Sequence, residues 1–258
     1  MTDLNRPTYL VAAFALIGLV LGCAPSEPDT RFLQKTYVSP SGDTLPYRLF
    51  VPGGTDSVSP APLVMFLHGG QGAGTDNVSQ ISGGNWRGSH LWIQPDVQDR
   101  HRVFVVAPQL PGLNRWDDAT SDKLSTYGEL AVELIAELQN TYPIDPDRVY
   151  LTGQSRGGWG VWDLIAKRPD LFAAAIPVCG GGNPEATSFM RDFSIWAFHG
   201  ARDRTVDVER SREMVDALRA AGANVKYTEY RFSGHAIWNR AYSEDGLVDW
   251  LFAQRKQH

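Results

Sequence analysis

The segment Gly153-Gln154-Ser155-Arg156-Gly157 places one serine between two glycines in the spacing G-x-S-x-G. This spacing is typical of a tight strand-to-helix turn that exposes the serine hydroxyl as a nucleophile. Glycine suits both flanking positions because a side chain there would keep the helix away from the strand. The apolar run Val149 to Thr152 precedes the segment and a helical pattern, Arg156 to Lys167, follows it. We therefore predict that Ser155 is a nucleophile.

A serine hydroxyl is a weak nucleophile unless a general base lies within hydrogen-bond distance. His235 is the predicted base, because it follows the predicted strand Val225 to Tyr230 and precedes the last predicted helix. A loop at that place would hold the imidazole above the end of a sheet. The other five histidines fit this role poorly: His68 and His199 end strands before a glycine, His90 and His101 lie between early strands, and His258 is terminal. No pair of histidines has the spacing of metal ligands, so we predict no metal site.

The second N–H of the imidazole needs an acidic acceptor, expected between the nucleophile and the histidine in chain order. Asp203 fits this requirement because it lies just beyond the predicted strand Ile195 to Phe198. Two alternatives remain open. Asp207 lies where the next helix begins and is better interpreted as its N-cap, and Glu185 lies in the loop after the preceding strand.

Acyl transfer also needs N–H donors directed at the oxygen on which negative charge develops. We expect one from Arg156, the residue after the nucleophile, and one from the glycine-rich segment His68-Gly69-Gly70-Gln71-Gly72. This segment follows the apolar run Leu63 to Leu67. Gly70 is the predicted donor, with Gln71 as the alternative.

Short apolar runs alternate with amphipathic helical patterns along the whole chain. Continuous apolar runs favour strands buried on both faces of a parallel sheet. The alternation predicts an α/β fold with a doubly wound, mostly parallel sheet and helices on both faces. The remaining predicted strands are Leu45 to Val51, Val103 to Ala107 and Ala174 to Val178, and the remaining predicted helices are Asp122 to Tyr142, Val208 to Ala221 and Ala241 to Phe252.

Taken together, these segments resemble the α/β-hydrolase esterases related to dienelactone hydrolase and prolyl oligopeptidase, particularly bacterial acyl esterases and predicted peptidases. The resemblance covers about Tyr37 to Phe252. It implies a catalytic triad, no cofactor, and hydrolysis of carboxylic esters with short acyl, aryl or sugar groups. The residues that carry it are Leu67-His68-Gly69-Gly70, Gly74-Thr75-Asp76-Asn77, Ala107-Pro108-Gln109, Tyr142 to Tyr150, Gly153 to Gly158, Ala197-Phe198-His199-Gly200 with Asp203, and Gly234-His235 with Trp238.

Two other functions remain alternatives to a serine esterase. A serine peptidase is one, although the chain offers no segment for the propeller domain that selects peptides in prolyl oligopeptidase. A catalytically inactive lipoprotein that uses the fold for binding is the other, which the intact Ser155, Asp203 and His235 disfavour.

Arg156 departs from this family, in which methionine commonly follows the nucleophile. Its guanidinium could bind a carboxylate of the substrate, or could instead fold away into a salt bridge. Trp116 and Trp159 are the predicted substrate-binding residues among five tryptophans near the catalytic segments; the others are Trp86, Trp92 and Trp238. Core packing is an equally good prediction for each of them.

The N-terminal residues resemble a bacterial lipoprotein signal peptide. Tyr9 to Gly22 is apolar and short for a membrane span, and Cys23 follows a lipobox-like sequence. We predict a signal peptide over residues 1–22, lipidation of Cys23, a linker over 23–35 and a catalytic domain over 36–258. An uncleaved anchor helix is the alternative. Both place the protein outside the cytoplasm, in the cell envelope, with the membrane contacted only through the anchor.

The composition is consistent with one enzyme domain. The 258 residues, of which 43% are hydrophobic, suffice for one core, and a net charge of -5 with mixed signs disfavours nucleic acid as a partner. The expected partner is a small-molecule or saccharide ester. Lipidation of Cys23 would leave Cys179 as the single thiol, which we predict to be a small buried side chain.

Overall fold

The computed structural model describes residues 29–54, 59–190 and 192–256. The predicted signal peptide and Cys23 lie outside these residues. In the described part of the chain, strands alternate with helices. The strands are β1 (Leu33–Val38), β2 (Thr44–Phe50), β3 (Ala61–Leu67), β4 (Phe104–Pro108), β5 (Ile144–Gln154), β6 (Ala174–Val178), β7 (Ser194–Gly200) and β8 (Lys226–Tyr230). The helices are α1 (Trp86–His90), α2 (Pro95–His101), α3 (Thr126–Thr141), α4 (Arg156–Lys167), α5 (Glu209–Ala220), α6 (Trp238–Ala241) and α7 (Leu247–Phe252).

All these strands join one sheet in the order β1-β2-β4-β3-β5-β6-β7-β8. β2 pairs antiparallel with both of its neighbours, and every pairing from β4 to β8 is parallel. The carboxyl ends of the parallel strands therefore meet at one edge of the sheet, where functional groups collect in such folds. This is the α/β-hydrolase fold that the sequence predicts.

Two buried clusters lie on opposite faces of this sheet. One contains the apolar faces of α3, α4 and α5, including Leu134, Leu164 and Met214. The other contains side chains from the α1–α2 region and from α6 and α7, including Trp92 and Leu251. The middle strands β3, β4 and β6 are buried along their whole length. Helices thus cover both faces, which explains why the strands of the sequence are continuously apolar.

The observed elements differ from the predicted ones mainly at their ends. β1 has no predicted counterpart, since its side chains are mostly exposed, and it begins at Leu33, before the predicted domain start at residue 36. Helix α3 begins later than predicted because Ser125 caps it by accepting the N–H of Gly128. The predicted last helix is two short helices, α6 and α7, separated by residues 242–246.

No helix in the described residues is long and apolar enough to cross a membrane.

Candidate active site

Ser155 lies in the turn between β5 and α4 and has a backbone conformation that non-glycine residues rarely adopt, with φ 54° and ψ -117°. Its backbone N–H donates to the carbonyl of Val178 at 2.8 Å. Both flanking glycines are needed by the packing: a methyl group at Gly157 would collide with the Leu67 carbonyl, and one at Gly153 would lie 2.6 Å from the Gly157 oxygen. The G-x-S-x-G spacing therefore reflects the close approach of α4 to β3 and β5.

His235 connects Ser155 to Asp203 by two hydrogen bonds. Nε2 of His235 is 2.8 Å from the Ser155 hydroxyl oxygen, and Nδ1 is 2.6 Å from Oδ2 of Asp203. Because the carboxylate can only accept, the hydrogen of the neutral imidazole lies on Nδ1 and Nε2 is left to accept from Ser155. The Asp203 side chain is 0% exposed and that of His235 is 19% exposed. The structure thus brings together the three residues predicted from the sequence.

The loops that carry Asp203 and His235 are joined by their backbones. Ala201 donates to the Tyr230 carbonyl at 3.1 Å, and Arg202 donates to the Ser233 carbonyl at 2.9 Å. At Gly200 the two loops are so close that a methyl group would collide with the carbonyl of Gly234. These contacts fix the position of the imidazole relative to the carboxylate.

Asp203 remains ionised in this environment. Burial alone would raise its pKa, but hydrogen bonds from His235 and from the backbone N–H groups of Val206 and Thr205 together hold the pKa below its usual value. Neither alternative acid contacts His235: Asp207 accepts the N–H of Glu209 at the start of α5, where the N-cap is Val208 and not the predicted Asp207, and Glu185 is exposed.

A second histidine contacts the same carboxylate. Nε2 of His199 lies 3.2 Å from Oδ2 of Asp203 and 3.0 Å from the Val206 carbonyl, and Nδ1 lies 2.7 Å from the Ser211 hydroxyl. Burial lowers the pKa of His199. A neutral His199 with its hydrogen on Nε2 therefore donates to the Val206 carbonyl, and the same ring nitrogen lies against Oδ2 of Asp203. The sequence gives no motif for this contact beyond a histidine at the end of β7.

The predicted oxyanion donors lie next to Ser155. Arg156 is the first residue of α4, so its backbone N–H has no acceptor within the helix. Gly69 packs against Ser155 and donates its N–H to Asn85 at 3.0 Å. The next residue, Gly70, is exposed and begins a 3-10 turn, so its N–H has no acceptor within that turn.

His68 and Asn85 hold this glycine-rich loop in place. His68 accepts the N–H of Leu110 at Nε2 (2.9 Å) and donates from Nδ1 to the Gly69 carbonyl (2.7 Å). Burial lowers its pKa to about 4, so the imidazole stays neutral in this bridge. The Asn85 side-chain oxygen also accepts from Gln154, the residue before Ser155, at 3.3 Å. Asn85 lies outside any motif, and sequence analysis does not find it.

Cys179 is fully buried beside this group, as predicted. Its thiol donates to the backbone carbonyl of His235 at 3.4 Å. The sulfur lies within 4.8 Å of ligand atoms of His199 and Asp203. Burial, followed by the nearby Asp203 carboxylate, raises the pKa of the thiol, so it stays protonated at neutral pH.

The tryptophans occupy different environments. Trp116 is 0% exposed and packs edge-to-face against His68, which favours core packing over substrate binding for this residue. Trp92 is also buried. Trp159 is partly exposed and lines a cleft of about 450 Å³ with Arg156. Trp238 lies edge-on to the His235 ring at 5.0 Å, and Trp86 is exposed.

Residues 115–248 match the model of the Dienelactone hydrolase family, and the chain belongs to that family. A solved structure described as that of a thermostable esterase superposes with a TM-score of 0.83 and 38% identity, covering 88% of this chain and 64% of the other.

Two curated relatives are polyester depolymerases by name. Poly(3-hydroxyalkanoate) depolymerase C of Paucimonas lemoignei is 30% identical over 52% of this chain and 31% of its own length. Poly(3-hydroxybutyrate) depolymerase of Ralstonia pickettii is 28% identical over 70% of this chain and 38% of its own length. The matched region therefore spans about a third of each of these relatives.

Proposed function

We propose that this protein is a carboxylic ester hydrolase that acts through Ser155 and an acyl-enzyme. The observation that carries the proposal is the pair of hydrogen bonds from Ser155 to His235 and from His235 to Asp203, at 2.8 and 2.6 Å. Such a chain of nucleophile, base and buried carboxylate is the arrangement that activates a serine.

The reaction proceeds in two half-reactions. The Ser155 oxygen attacks the ester carbonyl while its proton moves to Nε2 of His235, and the backbone N–H groups of Arg156 and Gly70 stabilise the oxyanion. The alcohol then leaves with the proton from Nε2. Water gives a proton to the same nitrogen as it attacks the acyl-enzyme, and this proton returns to the Ser155 oxygen when the acid is released. Asp203 stays ionised throughout and stabilises the imidazolium.

The relatives support this reaction and suggest substrates. The esterase with 38% identity supports ester cleavage, and the two depolymerase names add hydroxyalkanoate esters to the short acyl, aryl and sugar esters implied by the sequence motifs. A peptide bond is the alternative substrate that the resemblance to prolyl oligopeptidase raises.

The test is hydrolysis by the purified full-length protein of p-nitrophenyl acetate, a feruloyl ester, acetylated xylose, a 3-hydroxybutyrate oligomer and a peptide amide. Ester hydrolysis that Ser155→Ala abolishes, together with labelling of the wild type by a fluorophosphonate, supports the proposal. Ser41→Ala, at an exposed serine in the β1–β2 turn, is the matched control and should keep full activity. Cleavage of the amide alone would replace the esterase by a peptidase, and inactivity on all five without labelling would refute both.

We further propose that the protein is exported and anchored by lipid at Cys23. The support is the apolar run that ends at Gly22-Cys23. Expression in bacteria fed a labelled fatty acid should label the wild type and leave Cys23→Ala unlabelled. Equal labelling of the two proteins would contradict the proposal.

A further inference from the structure

The guanidinium of Arg156 has no carboxylate partner among the described residues. Its Nη1 donates to the backbone carbonyls of Gly112 (3.1 Å) and Asn114 (3.4 Å). Its Nη2 lies on the side of the oxyanion loop, 3.9 Å from where a methyl group on Gly70 would be. The positive charge is therefore held beside the reacting centre by neutral oxygens, and it is not neutralised by the protein there.

The cleft lined by Arg156, the residue after Ser155, contains more guanidinium groups than carboxylates. Arg115, Arg156 and Arg210 line it together with Trp159, and Asp207 is the acid in its wall. Arg115 also pairs with Asp117 at 2.6 Å, and Arg210 with the exposed Glu213 at 3.3 Å. Arg156 is thus the cation in this wall that remains available to a ligand, and Arg115 and Arg210 border the same volume.

The segments around the other two triad residues add four exposed arginines, of which Arg240 lies in α6. Arg202 and Arg204 flank Asp203, while Arg231 and Arg240 lie on either side of His235. None of the four has a carboxylate within salt-bridge distance in the part of the chain that the structure describes. The whole protein carries a net charge of -5, so the arginines around Asp203 and His235 form a local concentration of positive charge. Such a field attracts anions and raises their association rate.

We propose that the preferred substrates are esters that carry an ionised carboxylate, which Arg156 binds in this cleft. The inference rests on the proposed ester hydrolysis and specifies its substrate class. A planar guanidinium with a free edge matches a carboxylate geometrically and forms short, charge-assisted hydrogen bonds with it. The arginines of the outer loops would act at longer range, on the rate of encounter.

The test compares matched esters with and without the charge. Monomethyl adipate against methyl hexanoate places the carboxylate on the acyl side. Para-acetoxybenzoate against para-acetoxybenzamide places it on the alcohol side. We expect kcat/KM for the anion to exceed that for the neutral partner by about tenfold in at least one pair, the size of a charge-assisted hydrogen bond. The pair that shows the preference identifies the side of the ester that faces Arg156.

Arg156→Met should reduce that ratio to within about twofold of unity, and added salt should reduce it in the wild type. The ratio is the readout, because it is independent of any change in the amount of folded enzyme. Arg219→Gln, which removes an exposed charge of α5 paired with Asp216, is the control and should keep the wild-type ratio. Arg210→Gln provides a second variant if Arg156→Met does not fold, and we expect a smaller loss of preference from it.

Equal rates on both members of each pair in the wild type would overturn the inference and leave the esterase proposal intact. A preference that survives in Arg156→Met would also overturn it. Inactivity on all four esters, without fluorophosphonate labelling of Ser155, would instead refute the proposed function itself.

Discussion

Replacing Gly200 by alanine should impair catalysis from a position that touches no substrate. The new methyl group would lie 2.7 Å from the carbonyl oxygen of Ser233 and closer still to that of Gly234. An ordinary contact needs 3.4 Å, so the Ser233 carbonyl must move by about 0.7 Å and the Gly234 carbonyl by more. The two backbone bonds that join this loop to the Asp203 loop would be stretched, and the imidazole would shift relative to Ser155.

The substitution should lower both the stability of the fold and the rate of the reaction. Overpacking of this kind destabilises a protein by about 1–3 kcal/mol. A misplacement near 1 Å lowers the rate of a positioned reaction on the order of 100-fold. We therefore expect Gly200→Ala to fold with a lowered melting temperature and to lose most of its kcat and its fluorophosphonate labelling rate.

Gly53→Ala is the matched control, because a methyl group at this exposed glycine meets nothing within 4 Å and its φ is not positive. Both variants would be compared with the wild type by thermal unfolding and by kcat on the best ester. Wild-type kcat in Gly200→Ala would show that the contact between the two loops does not position His235.

Three further predictions follow from burial. The pKa of His68 lies near 4 in the folded protein and at 6.5 when the side chain is exposed. Its contribution to the free energy of unfolding is therefore complete above pH 6.5 and is lost as the pH falls toward 4. Urea unfolding of His68→Gln should show a shallower pH dependence across this range than that of the wild type. Trp116→Ala should destabilise the fold by about 3–5 kcal/mol because it leaves a cavity in the core. Trp159→Ala should change KM and have little effect on urea unfolding. The opposite pattern would contradict the conclusion that Trp116 is a core residue and Trp159 a cleft residue. Cys179 should resist iodoacetamide in the native protein and react after unfolding, as measured by mass spectrometry, since its thiol is buried and its pKa is raised.

The sequence predicts the fold and the triad because both leave local patterns. The buried strands are continuously apolar, and the turn at Ser155 requires glycine at fixed positions on either side of it. Asp203 is found by chain order, since the carboxyl ends of parallel strands bring successive loops to one edge. The exposed edge strand β1 has no such pattern and is not predicted.

Side-chain burial and contacts between distant segments are less accessible from the sequence. Trp116 and Trp159 both lie near catalytic segments, yet the first packs in the core and the second lines the cleft. Asn85 supports the site through contacts with Gly69 and Gln154, which become its neighbours only in the folded chain. No spacing rule connects such pairs, because their separation depends on how the intervening loops pack.

The proposed active site is built from two separate segments of the chain, which the pairing of β3 with β5 brings together. Leu67, which leads into the loop of the proposed oxyanion donor Gly70, lies opposite Gly153, which leads into Ser155, so this loop and the proposed nucleophile meet only where these strands pair. All three triad residues lie in the later of these two segments. A polypeptide cut at the exposed Asp122–Lys123 bond would therefore separate a nucleophile-bearing fragment from its oxyanion loop. Turnover would then require β3 and β5 to pair again, so that activity would report the association of the two fragments.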